Sequence, residues 1–223
     1  MGPRETLAEY FPASSFNLGG RQVTFTPSGQ DYVACYNHGP IDALPTDPAG
    51  GSVLGLGDDS YATVPLAAGS VAFRGSARSQ MFVGSNGYIT FNAGSTTYSA
   101  RTSNFRPMEG IAALFTDINP SAAGVVSWEQ AADRVAVSWV GVPEYGRSNS
   151  LTFQAEIFAT GVIRLTYLSA PVGGNGIVGV SSGNTALGDA DMLTSFEGRE
   201  AVCSATPPTD APTDAPTDAP TDA

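Results

Sequence analysis

The residues with the greatest chemical capacity in this 223-residue chain are acidic and occur in short pairs: Asp58 beside Asp59, Asp117 two residues before Asn119, and Asp189 two residues before Asp191. Carboxylate and amide oxygens at such spacing are the hard donors that calcium selects, although none of the pairs reads as an EF-hand loop. The same residue types build turns and caps through local backbone hydrogen bonds, so a cation site and a set of turns both stand as readings. Glu129, Glu144 and Glu156 carry the carboxyls that glycoside hydrolysis needs, but that reaction requires two of them in one cleft at a fixed separation, which sequence spacing does not set. His38, the single histidine, sits in Asn37-His38-Gly39-Pro40. This reads as a surface turn, with no serine loop to mark a nucleophile. An enzyme is not expected, and no cofactor is implied apart from calcium.

The ten cationic residues are all arginine. With no lysine, Schiff-base chemistry, lysine catalysis and lysine isopeptide crosslinks are excluded. The formal net charge of -11 argues against a nucleic-acid partner, because phosphate binding needs clustered cations that release counterions. Cys35 and Cys203 are the two cysteines, and no C-x-x-C spacing or histidine cluster accompanies them. A Cys35–Cys203 disulfide is the expectation, with buried free thiols as the alternative. Such a bridge would close nearly the whole folded body and, in the chain-entropy account, contribute on the order of 5 kcal/mol.

These groups need a scaffold, and the hydropathy pattern predicts an all-β one. Short apolar segments recur between tight turns: Val23 to Phe25, Asp31 to Tyr36, Ala62 to Leu66, Val71 to Arg74, Gln80 to Val83, Tyr88 to Phe91, Ile111 to Thr116, Val125 to Trp128, Arg134 to Val140, Leu151 to Phe158, Val162 to Tyr167 and Ile177 to Ser181. Asn86-Gly87 predicts a type I′ hairpin turn, and Thr160-Gly161 marks another reversal. The expected architecture is a single antiparallel β-sandwich or barrel-like domain. In Val135-Ala-Val-Ser-Trp139 the alternation places Val135, Val137 and Trp139 on the core face. Trp128 lies on the preceding segment, and Trp128 and Trp139 either face each other across the hairpin or offer surface platforms for sugars.

The chain divides into an N-terminal extended segment (1–20), the β domain (21–204) and a tail (205–223). In that tail Pro-Thr-Asp-Ala repeats from Pro208 to Ala223. Proline at every fourth position removes amide donors and fixes φ, which favours an extended polyproline II-like rod of roughly 50 Å. Thr209, Thr213, Thr217 and Thr221 beside these prolines are candidates for O-glycosylation; a plain acidic linker is the alternative. No apolar run is long enough to span a bilayer. The start, Met1-Gly-Pro-Arg-Glu, lacks the features of a secretory signal. The chain therefore reads as a protein with its export signal removed or as a segment of a longer one.

Between Met81 and Ser182 the strand order resembles the nidogen-type extracellular domain, called NIDO. The residues that carry the resemblance are Phe82-Val83-Gly84-Ser85-Asn86-Gly87-Tyr88-Ile89-Thr90-Phe91, Ile111 to Pro120 with Asp117 and Asn119, Val125 to Trp128, Arg134 to Trp139, Thr152 to Glu156, Gly161 to Tyr167 and Gly176 to Ser181. The resemblance implies a secreted, non-catalytic module of matrix or cell-surface proteins. Taken with the repeat tail, it predicts an extracellular structural protein, a subunit of a filament that grows by self-association. One route is for an extended segment such as Leu7 to Phe16 to add to a neighbour's sheet edge. The alternative is an adhesive module of a larger secreted protein, binding a glycan or matrix ligand.

Overall fold

The computed structural model describes residues 6–37, 39–184, 192–193 and 195–197. In chain order the strands are β1 (Thr6–Phe11), β2 (Arg21–Ser28), β3 (Asp31–Asn37), β4 (Ser52–Leu54), β5 (Tyr61–Pro65), β6 (Ala72–Phe73), β7 (Ser76–Ala77), β8 (Gln80–Gly84), β9 (Tyr88–Thr90), β10 (Glu109–Phe115), β11 (Val125–Gln130), β12 (Arg134–Val142), β13 (Leu151–Phe158), β14 (Ile163–Ser169), β15 (Gly176–Ser182) and β16 (Met192–Leu193). A 3-10 turn (Pro48–Gly50) and one α-helical turn, α1 (Thr102–Phe105), interrupt them.

Two seven-stranded sheets form a sandwich. The first has the order β16-β1-β15-β10-β9-β8-β5, and the second β3-β2-β14-β13-β12-β11-β4. Every neighbour pair is antiparallel except β1–β16, so the architecture is the sandwich of the two expected forms, without barrel closure among the described strands. The alternation that predicted strands also sets which face is buried. On β13, Leu151, Phe153, Ala155 and Ile157 enter the core between the sheets, while Gln154 and Glu156 lie on the opposite face. On β12, Val135, Val137 and Trp139 point inward as predicted. The Trp139 ring stacks on Phe153, its register partner, with centroids 5.0 Å apart and planes 11° from parallel. Trp139 is fully buried and Trp128, opposite Val137, packs against the same core. The sugar-platform reading therefore does not hold for Trp139.

A second, smaller cluster lies on the outer side of the first sheet. There the segment carrying α1 places Ala100, Phe105 and Met108 over Ala8, Tyr88, Ala112, Phe115 and Ile177. The N-terminal segment, read from the sequence as an extended lead-in able to pair elsewhere, supplies β1, which lies between β15 and β16. It runs antiparallel to β15, from Thr6 opposite Ser181 to Phe11 opposite Gly176. The close approach requires glycine at position 179, where φ is +150° and a Cβ would overlap the Ala8 backbone.

The turns also depart from expectation in one informative place. Thr160-Gly161 does reverse the chain, with Gly161 at φ +84°. At Asn86-Gly87, by contrast, Gly87 has φ +77° but Asn86 does not lie at positive φ, so the turn is not type I′. The ladder pairs Phe82 with Thr90 and Val83 with Ile89, leaving Ser85, Asn86 and Gly87 in a three-residue connection. The reason is tertiary: Asn86 has partners on three other loops.

Candidate functional site at the loop end

The starts of β2, β5, β9, β11, β13 and β15 and the ends of β1, β8, β10, β12 and β14 gather at one end of the sandwich, as the antiparallel registers require. Two loops there bring together Asp58 and Asp59, between β4 and β5, and Asp117, just beyond β10. One carboxylate oxygen from each lies within 4.8 Å of the others.

Asn86 holds this arrangement in place. It is fully buried, and its Oδ1 accepts from the Ile118 amide at 2.9 Å while its Nδ2 donates to Asp59 Oδ1 at 2.9 Å and to the Thr97 carbonyl at 3.5 Å. Its own carbonyl accepts from the Thr116 amide. One side chain thus fixes the loops of Asp59, Thr97 and Asp117, and this explains why its backbone does not take the hairpin geometry expected of an Asn-Gly pair. Gly87 is required next to it, since a Cβ at that position would overlap the Leu114 carbonyl. Asp59 itself adopts φ +41°, a conformation that aspartate tolerates better than most residues. Ser60 and Ser85 complete the join, with the Ser85 amide donating to the Ser60 carbonyl and the Ser60 amide to Ser85 Oγ at 3.0 Å.

The electrostatics follow from the crowding. Burial, and then the negative charges of Asp59, Asp58 and Glu144, push the Asp117 carboxyl up to about 6. Asp58 is raised by desolvation and by its neighbour Asp59. Three carboxylates with hard oxygens, exposed on one side and tied to rigid backbone on the other, have the donor chemistry of a calcium site.

Exposed aromatic rings flank the same loops. Tyr61, Tyr98 and Tyr145 are 45%, 53% and 59% exposed. Tyr61 follows Asp59 by two residues and packs edge-on against Phe82, Tyr98 follows Thr97, and the Tyr145 amide donates to the Asp117 carbonyl at 2.8 Å. Beside them the buried Glu144 accepts from Asn149 Nδ2 and from the Gly173 and Gly174 amides at 2.8 and 2.7 Å. That carboxylate fastens the loop after β12 to the loop before β15. A shallow hollow lined by Gly146, Arg147, Ser148, Asn149, Pro171 and Gly173 lies alongside.

The remaining sequence candidates separate. Asn119 stays out of the cluster, its Oδ1 taken by Ser121 in a local turn. Glu156, buried on the outer face of the second sheet, pairs with Arg164 Nε at 2.5 Å and Arg134 Nε at 3.2 Å and accepts from Thr46 Oγ1 at 2.8 Å. Glu129 and Glu156 lie on the outer face of the second sheet, both level with Ala136 of the strand between them, whereas Glu144 belongs to the loop end, so the three glutamates do not share one cleft. Cys35 is buried on β3 opposite Thr24. Its expected partner Cys203, together with His38, Asp189, Asp191, Thr209, Thr213, Thr217 and Thr221, lies outside the described residues. Sequence reasoning missed Asn86 and the three tyrosines. Asn86 was visible only as a turn residue, and an isolated tyrosine carries no sign of exposure.

No described helix is long and apolar enough to cross a membrane. No curated protein and no solved structure matches the chain. A family described as NIDO related matches residues 31–221, which extends the resemblance seen between Met81 and Ser182 in both directions. Domains of this family are typically extracellular and of a non-catalytic type. A match over most of the length, on a sandwich whose strands carry the resembling segments in order, places the chain in the NIDO-related family.

Proposed function

We propose that this chain is a non-catalytic extracellular module that acts by adhesion through its loop end. There Asp58, Asp59 and Asp117 hold a calcium ion, and Tyr61, Tyr98 and Tyr145 present flat apolar faces to a glycan or matrix ligand. The observation that carries this reading is the convergence of three carboxylates at a loop end where three exposed tyrosines stand on adjoining segments. Like charges at this spacing repel one another, and a divalent cation turns that repulsion into attraction. Tyrosine rings stack on apolar sugar faces while their hydroxyls stay hydrated.

The test is calcium titration of the full chain by calorimetry, with the melting temperature followed in calcium and in chelator. Saturable binding that raises the melting temperature is expected, and Asp59→Asn with Asp117→Asn abolishes it. A melting temperature indifferent to chelator sinks the calcium site. Glycan-array binding that requires calcium then supports the adhesive role.

A second reading, a filament subunit, is favoured by the Pro208–Ala223 repeat and by β5, an edge strand paired on one side only among the described strands. Such an edge is a template for a neighbouring copy. Rods in negative-stain images of the native material support it; discrete monomers at high concentration reject it.

A further inference from the structure

The outer face of the second sheet carries a row of polar side chains that is buried. Register pairs set Ser127, Ser138, Gln154 and Thr166 side by side across β11, β12, β13 and β14, and all four are buried. Glu156 lies in the neighbouring row, fully buried, with Arg134 on one of its oxygens and Arg164 on the other. Both guanidinium groups rest on the Phe158 ring, 5.4 and 5.2 Å from its centroid. The loop between β3 and β4 meets this face chiefly through Thr46. The Thr46 amide donates to Gln154 Oε1 at 3.0 Å, and its carbonyl accepts from Gln154 Nε2 at 2.7 Å. Its hydroxyl donates to Glu156 Oε1 at 2.8 Å and accepts from Arg134 Nε at 3.4 Å.

Every polar group of that threonine is thus read, its main chain by one side-chain amide and its hydroxyl by a carboxylate and a guanidinium. Apolar side chains would fasten a loop at lower cost, because a buried carboxylate carries a desolvation penalty. Main-chain hydrogen bonds joined to one specific side-chain contact are instead how a receptor holds an extended peptide. Thr46 is the centre of Pro45-Thr46-Asp47, and the same tripeptide recurs four times between Pro208 and Ala223. Pro45 and Asp47 are exposed, so the threonine carries the fit.

We propose that this face is a receptor for the Pro-Thr-Asp unit, filled in cis by the loop at Thr46 and in trans by a repeat from a second copy of the chain. The inference supplies a contact for the filament reading and rests on it for the second copy. Each repeat threonine offers the same amide, carbonyl and hydroxyl, with a proline before it that favours extended backbone. Four repeats face one such site among the described residues, and proline at every fourth position favours a rod that reaches outward to a neighbour. The loop competes from a tethered position, which is worth a local concentration in roughly the millimolar range. Exchange therefore needs repeats at similar density, as on a crowded surface. Sugar on a repeat threonine removes the proton that Glu156 accepts, so docking and O-glycosylation exclude each other at any one residue.

The test titrates a synthetic peptide of residues 208–223 into the full chain and into its Thr46→Ala variant, following the Gln154 side-chain amide and the Arg134 Nε proton by NMR. Saturable shifts at both groups are expected, with affinity roughly tenfold or more higher in Thr46→Ala, where the competing loop has lost its hydroxyl. A peptide with valine at all four threonines, similar in shape but without the hydroxyl, is expected to bind roughly tenfold or more weaker. No shift in Thr46→Ala, or equal binding of the valine peptide, overturns the proposal. Should Thr46→Ala not fold, wild type with peptide at up to about 10 mM decides by the same two criteria. Sedimentation velocity then identifies the source of the repeat. Full-length Thr46→Ala is expected to associate as its concentration rises, and a monomer at every concentration overturns the second copy. Rods in native material without peptide binding reject this proposal and leave the filament reading standing. Peptide binding and association without rods support it and reject the filament.

Discussion

Asn86 and Ile118, thirty-two positions apart, are joined by a buried hydrogen bond of 2.9 Å that locks the turn between β8 and β9 to the chain leaving β10. The amide group that accepts it also donates to Asp59, so the position of two of the three clustered carboxylates depends on one side chain.

Replacing Asn86 by alanine therefore orphans the Ile118 amide inside the protein and frees Asp59. The expected loss is about 2–3 kcal/mol of unfolding free energy, measured by urea denaturation. Asn86→Asp is expected to be costly as well, because a carboxylate cannot donate to Asp59 and adds a fourth negative charge. A change below about 0.5 kcal/mol in the alanine variant would show that water replaces the amide without cost.

The Cys35–Cys203 bridge is tested by non-reducing peptide mass spectrometry, which is expected to recover the two cysteines in one linked species. Its reduction is expected to destabilise the body by on the order of 5 kcal/mol, given the length of the closed loop. Two thiols that alkylate in the native protein would remove the bridge from the account.

Stability should depend on pH through Glu9, and the sign is fixed. Its carboxyl is raised in the folded state from 4.5 to about 7, so between those values the folded protein binds more protons than the unfolded chain. Stability contributed by Glu9 is complete below about pH 4.5 and is lost as pH rises to about 7, on the order of 2 kcal/mol. Denaturant midpoints for wild type should thus fall across this window relative to Glu9→Gln. Parallel pH profiles for the two proteins would contradict the burial of an ionisable carboxyl.

The repeat segment makes its own prediction. Intact mass of natively produced material is expected to exceed the polypeptide mass in sugar-sized steps, and conversion of Thr209, Thr213, Thr217 and Thr221 to alanine should abolish the excess. The chain has no Asn-x-Ser/Thr acceptor, so N-linked sugar cannot account for it. A mass equal to that of the bare chain would leave a plain acidic linker.

Strands such as β12 and β13 were legible from sequence because one face is buried and a period of two follows directly from pleating. The shortest strands were not. β4, β7 and β16 have two or three residues each, too few for any periodicity to show. β1 was hidden for another reason: Thr6, Leu7, Ala8 and Glu9 are all buried, because a second hydrophobic layer covers the outside of its sheet, and the alternation is lost. At the candidate site, Asp58, Asp59 and Asp117 were visible as residue types, whereas their convergence depends on a crossing of loops from both sheets. Asn119 showed the opposite outcome, since its spacing suggested a ligand and its side chain serves a local turn.

The pairing of Thr6 with Ser181 has a consequence for biosynthesis. Of the described strands β1 is made before the others, and it has no ladder partner until almost all of the described body has been made. Closing so long a loop delays the reward for ordering the N-terminus, which predicts slow, late completion of the first sheet. Until then a greasy ribbon stays unpaired, and a nascent chain in that state is a target for chaperones.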